Sequence, residues 1–447
     1  MQSFRALGCC ILLLTPCVCA VGVSAKVANA SERTAASLER QGEAAFQKAD
    51  FVRAVEYLTR AAQLAPAQVS YQTKLSNAHF WWAKHLQAHS DFDAALRHFK
   101  AAYAIAKVQR RNAALDADLT NIGYTYLQLG RYEEVLRSLQ QALPIQSAIK
   151  DRRGEAYTLN NIGVAYYKLG RFKEALRSYQ QALTIKREVK DRRGEANALN
   201  NIGQTCCNLG RSKEALRYLQ QALPIHREVK DRWGEVRALN NIGETYYNLS
   251  RHKEALRYLQ QALPIERELK NRRGEAATLN NIGQTYYELG RSQEVLRYFQ
   301  LALPIHRELK DREGEAHTLD YIGLAYLRQS RSKEALRSFQ QALTMQRAIK
   351  YRQGEAYALN NIGETYKKLG RYGEALRFYQ QALTIKREVK DRRGEARSLN
   401  FIGETYYKLG RSKEALHYFQ QALTIERAIK YQPGEARVLS NIARLHH

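Results

Sequence analysis

The dipeptide Ile-Gly returns every forty residues, with its glycine at Gly123, Gly163, Gly203, Gly243, Gly283, Gly323, Gly363 and Gly403. Around it, the stretch from about Ala114 to Tyr431 is one forty-residue unit written eight times. A closing "GEARVLSNIARLHH" is part of a ninth unit. This period rules out a single large core. Each unit is too short to bury its own apolar face and must stack on its neighbours, so the repeat predicts a solenoid.

Within the unit Gly154 to Arg193, apolar residues fall at Leu159, Ile162, Gly163, Tyr166 and Leu169. That spacing is one face of a 3.6-residue helix. "LGR" at Leu169 to Arg171 then stops the helix, with Gly170 suited to a left-handed cap. A second helix buries Ala175, Leu176, Tyr179, Ala182 and Leu183 and ends near Val189. Asp191 is placed to N-cap the next helix. Pro144, Pro224, Pro264 and Pro304 fall inside second helices where sibling units carry Thr184, Thr344, Thr384 and Thr424, and a bend is expected there.

The order Leu159, Ile162, Gly163, Tyr166, Ala175, Tyr179, Ala182 resembles the tetratricopeptide repeat signature, in the long forty-residue form of Pins-type adaptors, rapsyn and many bacterial proteins. Leu38, Gly42, Ala54, Leu58, Ala61 and Pro66 resemble the thirty-four-residue form, and a looser copy surrounds Ala83, Ala95, Phe99 and Ala102. The resemblance implies an all-α, right-handed superhelical α-solenoid of antiparallel helix pairs, with first helices on the concave side. The expected organisation is a signal peptide over 1–25, a linker over 26–34, and two divergent repeats over 35–113. Eight forty-residue repeats over 114–433 and a closing helix over 434–447 complete it.

Most units keep a pair of asparagines in the first helix, although Asn is a mediocre helix former. On a helical wheel, Tyr157, Asn161, Val164 and Lys168 point away from the buried face, within about 40° of the opposite direction. Asn160 falls on the flank, nearer the adjacent helix. The first asparagine is therefore expected to support packing and the second to face the groove. A ladder of groove amides follows: Asn121, Asn161, Asn201, Asn241, Asn281, Asn361 and Asn441, with aromatic rungs at Tyr321 and Phe401. An amide offers donors and an acceptor. One per repeat can satisfy the backbone of an extended peptide, and related repeat proteins hold peptides in this way. The alternative is a tolerated polar residue copied by duplication.

The chain carries a formal net charge of +27, which invites a polyanionic partner. The inward positions, however, nearly balance: Lys168, Arg237, Arg328, Lys368, Arg397 and Lys408 against Glu244, Glu288, Glu364 and Glu404. The excess lies on second helices and linkers, as at Arg171, Lys173, Arg177, Lys186, Arg187, Lys190, Arg192 and Arg193. A nucleic-acid groove is basic on its binding face, so nucleic acid is disfavoured there. Polyanion binding by the convex face is kept as the alternative function.

Residues 1–25 carry Arg5, an apolar run and then small residues, a secretory signal pattern with a cleavage site before Lys26. A secreted or periplasmic protein is expected, with an uncleaved membrane anchor as the alternative. Cys206 and Cys207 are adjacent and form no disulfide framework, and Cys206 reads as a small buried packer. Phosphate-binding loops, metalloprotease motifs and nucleophile elbows are absent. His85 and His89 share a helix face, near His79 and His98, without a third ligand at metal-site spacing. The expected protein is a non-catalytic, cofactor-free scaffold whose partner is a protein or peptide. "FWW" at Phe80 to Trp82 reads as core and groove lining.

Overall fold

The computed structural model describes residues 19–445. Among them the only regular elements are α-helices joined by short turns. They are α1 (Cys19–Gln47), α2 (Phe51–Leu64), α3 (Val69–Ala88), α4 (Phe92–Val108), α5 (Asn112–Gln128), α6 (Tyr132–Ala148), α7 (Arg152–Lys168), α8 (Phe172–Glu188) and α9 (Arg192–Asn208). There follow α10 (Ser212–Glu228), α11 (Arg232–Asn248), α12 (His252–Glu268), α13 (Arg272–Glu288), α14 (Ser292–Glu308) and α15 (Arg312–Arg328). The last are α16 (Ser332–Ala348), α17 (Arg352–Lys368), α18 (Tyr372–Glu388), α19 (Arg392–Lys408), α20 (Ser412–Ala428) and α21 (Gln432–Ala443). Most of the expected leader lies outside the described residues. No described helix is long and apolar enough to cross a membrane.

The chain forms two compact units, one running to Ala198 and one from Leu199. Consecutive helices pack together from α1 to α8 in the first and from α10 to α21 in the second. In the second unit each odd-numbered helix from α11 to α19 also touches the next odd-numbered helix. Even-numbered helices make no comparable contact with one another among the described residues. The odd helices are therefore the inner layer of that unit and the even helices the outer.

Both kinds of turn close the same way. Gly170 has φ +72°, as its position after Leu169 required. The turn after the second helix uses a left-handed lysine, which the sequence reading missed. Lys190 has φ +56°, its N–H bonds the Arg187 carbonyl, and Asp191 N–H bonds the Lys186 carbonyl at 2.8 Å. These two bonds are a Schellman closure. Asp191 then caps α9 by accepting from Gly194 N–H at 2.9 Å. One residue thus ends a helix and begins the next, which holds the link to three residues and fixes the period.

The repeated glycine sets how closely the two helices of a pair approach. A Cβ on Gly283 would lie 2.6 Å from the Phe299 ring, and one on Gly323 would lie 2.5 Å from Phe339. The apolar residues form a chain of clusters shared between neighbours. One joins Leu256, Leu259, Ile282, Tyr286, Phe299 and Ile322 across successive helices. Cys206 is fully buried, as expected of a packer. The helices carrying Pro144, Pro224, Pro264 and Pro304 run for the same seventeen residues as their threonine siblings. Each proline is exposed. Where Thr184 stands instead, its hydroxyl donates to the Gln180 carbonyl at 3.2 Å.

A polar slot lies at each repeat junction beneath this apolar pattern. It is formed by a second-helix residue, the cap five residues later, and the first asparagine of the preceding first helix. His226 is fully buried with Nδ1 3.1 Å from Asp231. Glu266 accepts from Asn271 at 2.7 Å and Asn240 at 3.2 Å. His306 stands 2.9 Å from Asp311 and 3.0 Å from Asn280. Lys386 donates to Asp391 at 2.9 Å. At the three positions of every junction, from Thr120–Gln146–Asp151 to Asn400–Glu426–Tyr431, there is one carboxylate and no more. Where the second-helix residue is an acid, the cap is Asn271 or Tyr431. Where it is His or Lys, the cap is Asp. A second buried carboxylate would have no counter-charge and would be strongly disfavoured.

This matching predicts a rescue. His226→Glu alone places a carboxylate against Asp231 and should destabilise the α10–α11 junction by about 2–4 kcal/mol. Adding Asp231→Asn recreates the Glu266–Asn271 pair and should restore at least about 1 kcal/mol. Hydrogen exchange of α10 and α11 amides measures both. A double variant no better protected than the single would refute the rule.

Candidate functional site

The inner odd helices carry the expected amide ladder, and the structure divides its rungs. Asn161, Asn241 and Asn441 are buried rather than open. Asn241 Nδ2 donates to Asn200 Oδ1 at 3.0 Å, and Asn441 Nδ2 donates to Asn400 Oδ1 at 3.0 Å. A single-helix wheel cannot show this, because the cover comes from the odd helix of the preceding repeat. Asn121 is half-buried, donating to the Ala117 carbonyl and accepting from Lys84. Asn201, Asn281 and Asn361 are half-buried. The first asparagines do bridge repeats. Thr278 donates to Asn240, Thr318 donates to Asn280, and Asn360 donates to Ser398.

The aromatic rungs are built differently. Tyr321 stacks on Phe299 at 5.0 Å and meets Tyr287 edge-on at 5.6 Å. Phe401 leans on Tyr379 at 5.3 Å, with Arg397 over its ring.

Three cavities in the second unit involve these rungs. One of about 650 Å³ is lined by Tyr321, His317, Asp320, Gln346, Tyr357 and Lys386, among others. A second of about 250 Å³ is lined by Asn361, Phe401, Tyr357, Arg397, Glu426 and Arg437, among others. A third of about 290 Å³ includes Asn441, Lys367, Lys368, Glu404, Lys408 and Arg444. The charges Lys368, Arg397, Glu404 and Lys408 thus stand on cavity walls. Lys367 is paired with Glu364 at 2.8 Å and Glu404 at 2.9 Å.

Sequence profiles of the tetratricopeptide repeat match residues 119–152, 154–228, 234–308, 274–348 and 354–428. The chain belongs to the tetratricopeptide repeat family. No curated protein matches it. Three solved structures share the fold. A signal-transduction ATPase with numerous domains and a tetratricopeptide repeat sensor, from Pyrococcus horikoshii, is 14% identical with a TM-score of 0.63. The match covers 85% of this chain and 57% of that one, so this chain spans little more than half of its length. The apo quorum sensor NprR from B. thuringiensis is 14% identical with a TM-score of 0.58, over 78% of this chain and 98% of that chain. Apo RapI is 18% identical with a TM-score of 0.53, over 62% and 99%.

Sequence reasoning missed Asp320 in this tetratricopeptide array. It stands where sibling repeats carry the first asparagine, and only the substitution of the pair Asn-Asn by Asp320-Tyr321 marked it. Its carboxylate is 3% exposed and accepts one bond, from Gln346 Nε2 at 2.8 Å. Burial raises its pKa to about 8. In the first unit, the histidines pair without further ligands. His79 and His98 stack with Nδ1 atoms 2.9 Å apart, and burial lowers His79 to about 4. Among the described residues, no three His, Cys, Asp or Glu side chains converge as metal ligands.

The raised Asp320 makes stability depend on pH. Between the ordinary carboxylate range and about pH 8 the folded chain holds a proton that the unfolded chain has released. Stability therefore falls with rising pH across that window, by up to about 1.4 kcal/mol per pH unit. Asp320→Asn should remove this slope and leave the variant more stable than wild type at pH 8. Urea denaturation from pH 5 to 9 checks it, and parallel curves for the two proteins would count against it.

Proposed function

We propose that the protein is a non-catalytic scaffold that holds an extended segment of a partner protein along the inner helices α15, α17, α19 and α21. The observation that carries this reading is the series of cavities lined in turn by Tyr321, Asn361 with Phe401, and Asn441. These positions are equivalent in successive repeats. Neighbouring helices stand about 8–10 Å apart, and an extended chain covers that in about three residues. A segment of seven to nine residues (about three per repeat) would cross all three cavities. A Rap protein of the same fold, 16% identical with a TM-score of 0.51, is known in complex with competence and sporulation factor, over 80% of this chain and 99% of that one. The proposal retains the organisation expected from the sequence, with a leader over 1–25, and an extracytoplasmic location.

The rival is electrostatic binding by the outer face. Part of the outer arginine set is engaged within the chain. Glu235 pairs with Arg227 at 2.8 Å and Arg232 at 2.5 Å, and Glu275 repeats this with Arg267 and Arg272.

Affinity capture from envelope extract tests the reading, with the wild-type chain beside an Asn361→Ala, Phe401→Ala variant whose helicity is verified. A discrete protein that survives washing at high salt and is lost with the variant is the expected result. Material that washes off with salt and binds both chains equally would place function on the outer face.

A further inference from the structure

At seven of the eight junctions the single carboxylate is a cap aspartate or a second-helix glutamate. At the eighth it has moved inward to Asp320, and the cap is Tyr351. A cap aspartate keeps a backbone donor, as Asp311 does from Gly314 at 3.0 Å and Asp391 from Gly394 at 2.8 Å. Asp320 has given up that donor. Its Oδ1 has no hydrogen-bond partner, and neither does Gln346 Oε1 beside it. In sibling repeats the equivalent asparagine oxygen receives a hydroxyl, from Thr278 or Thr318. Here that position is Ala358. This buried, unpartnered oxygen belongs to a side chain that lines the 650 Å³ cavity.

The last junction shows what completes such a site. Its acid, Glu426, is 1% exposed and faces the guanidinium of Arg437 at 3.7 Å. Arg437 lies two units after Tyr357 in the forty-residue register. Where the last junction has its own cation beside a cavity of about 250 Å³, the Asp320 junction has a tyrosine and a cavity of about 650 Å³. The remaining charges around the cavity do not supply one. Lys386 is bound to Asp391, Asp311 is bound to His306, and Glu313 adds negative charge. Tyr321 and His317 stand 4.9 Å apart, and Tyr357 feels the Asp320 charge. Aromatic faces and a carboxylate suit a cation.

We propose that this cavity receives a lysine or arginine side chain of the bound partner segment, with Asp320 as counter-ion and His317, Tyr321 and Tyr357 as walls. The assignment rests on the groove reading above and names the chemistry of one side chain in that partner.

The test uses the full chain and small probes: acetyl-arginine methylamide, acetyl-lysine methylamide and, as the neutral isostere, acetyl-citrulline methylamide. Binding is read by saturation-transfer NMR. Asp320→Asn restores the sibling residue, and Tyr357→Arg supplies the chain's own guanidinium as Arg437 does. At least one basic probe should bind wild type with a dissociation constant on the order of millimolar. Citrulline and both variants should show binding at least about tenfold weaker. The titratable groups that line the cavity with Asp320 are Asp311, Glu313, His317, Tyr321, Tyr351, Tyr357 and Lys386. An acid at about 8 is roughly one-tenth ionised at pH 7 and half ionised at pH 8, so affinity should rise about fivefold between them. Equal binding of citrulline, unchanged binding by Asp320→Asn, or no basic probe bound at about 20 mM would overturn the assignment. Probe binding with a captured partner indifferent to the groove variant would keep the pocket and discard the groove.

Discussion

Among the described residues the helix contacts are made within a repeat or between neighbouring repeats, and the junction between one helix pair and the next is the interaction on which the rest depends. A lone pair of seventeen-residue helices leaves one apolar face in water. Stacking buries it, so the stability of each repeat is set by its two junctions. Near-identical repeats bring a difficulty: the apolar faces are interchangeable. Leu219 clusters with Ile242 of the next pair as Leu259 does with Ile282. Apolar packing alone would accept a slipped pairing almost as readily as the right one.

The buried polar slot breaks that degeneracy. Were the pair α11–α12 docked against α15 in place of α13, Glu266 would face Asp311, and two carboxylates would share one low-dielectric site. Were α17–α18 docked against α21, Lys386 would face Tyr431 and lose its counter-ion. Each error leaves a buried charge uncompensated, at a cost of several kcal/mol. The native order gives one carboxylate at the three slot positions of each junction, matched to its surroundings. Specificity is thus carried by a few polar atoms set in a core that is otherwise repetitive.

How much of this was legible in the sequence follows from range. The helices, their pairing, the left-handed Gly170 and the cap at Asp191 depend on neighbours within a few residues, and the forty-residue period exposed them. The bridging role of Asn240 and Asn280 could be read from their flank position. The burial of Asn161, Asn241 and Asn441 could not, because the cover lies a whole repeat away. The left-handed Lys190 was hidden for a different reason: lysine does not advertise that conformation, and only the Schellman bonds demand it. The polar slot was present in the sequence as a variable column, Gln146, Lys186, His226, Glu266, His306, Gln346, Lys386, Glu426. Variation at one position among near-copies is a signal, but its meaning needs the cap five residues on to be seen beside it.

The same logic bears on where the protein can meet a partner. Eight of the outer arginines are bound in repeated clamps, with Glu235, Glu275, Glu355 and Glu395 each holding two of them. Those glutamates are buried, so the clamps are less screened than ordinary surface pairs. A polyanion would have to compete with them. The inner face differs in kind. Its framework is fixed by the junctions, while position 317 and its equivalents read His317, Tyr357, Arg397 and Arg437 in succession. Change at these positions leaves helix length, caps and period intact and alters only what the cavities offer. A solenoid whose scaffold is so uniform can concentrate recognition in those few side chains, and Asp320 stands among them because there alone the junction's acid was moved from the cap to the inner helix.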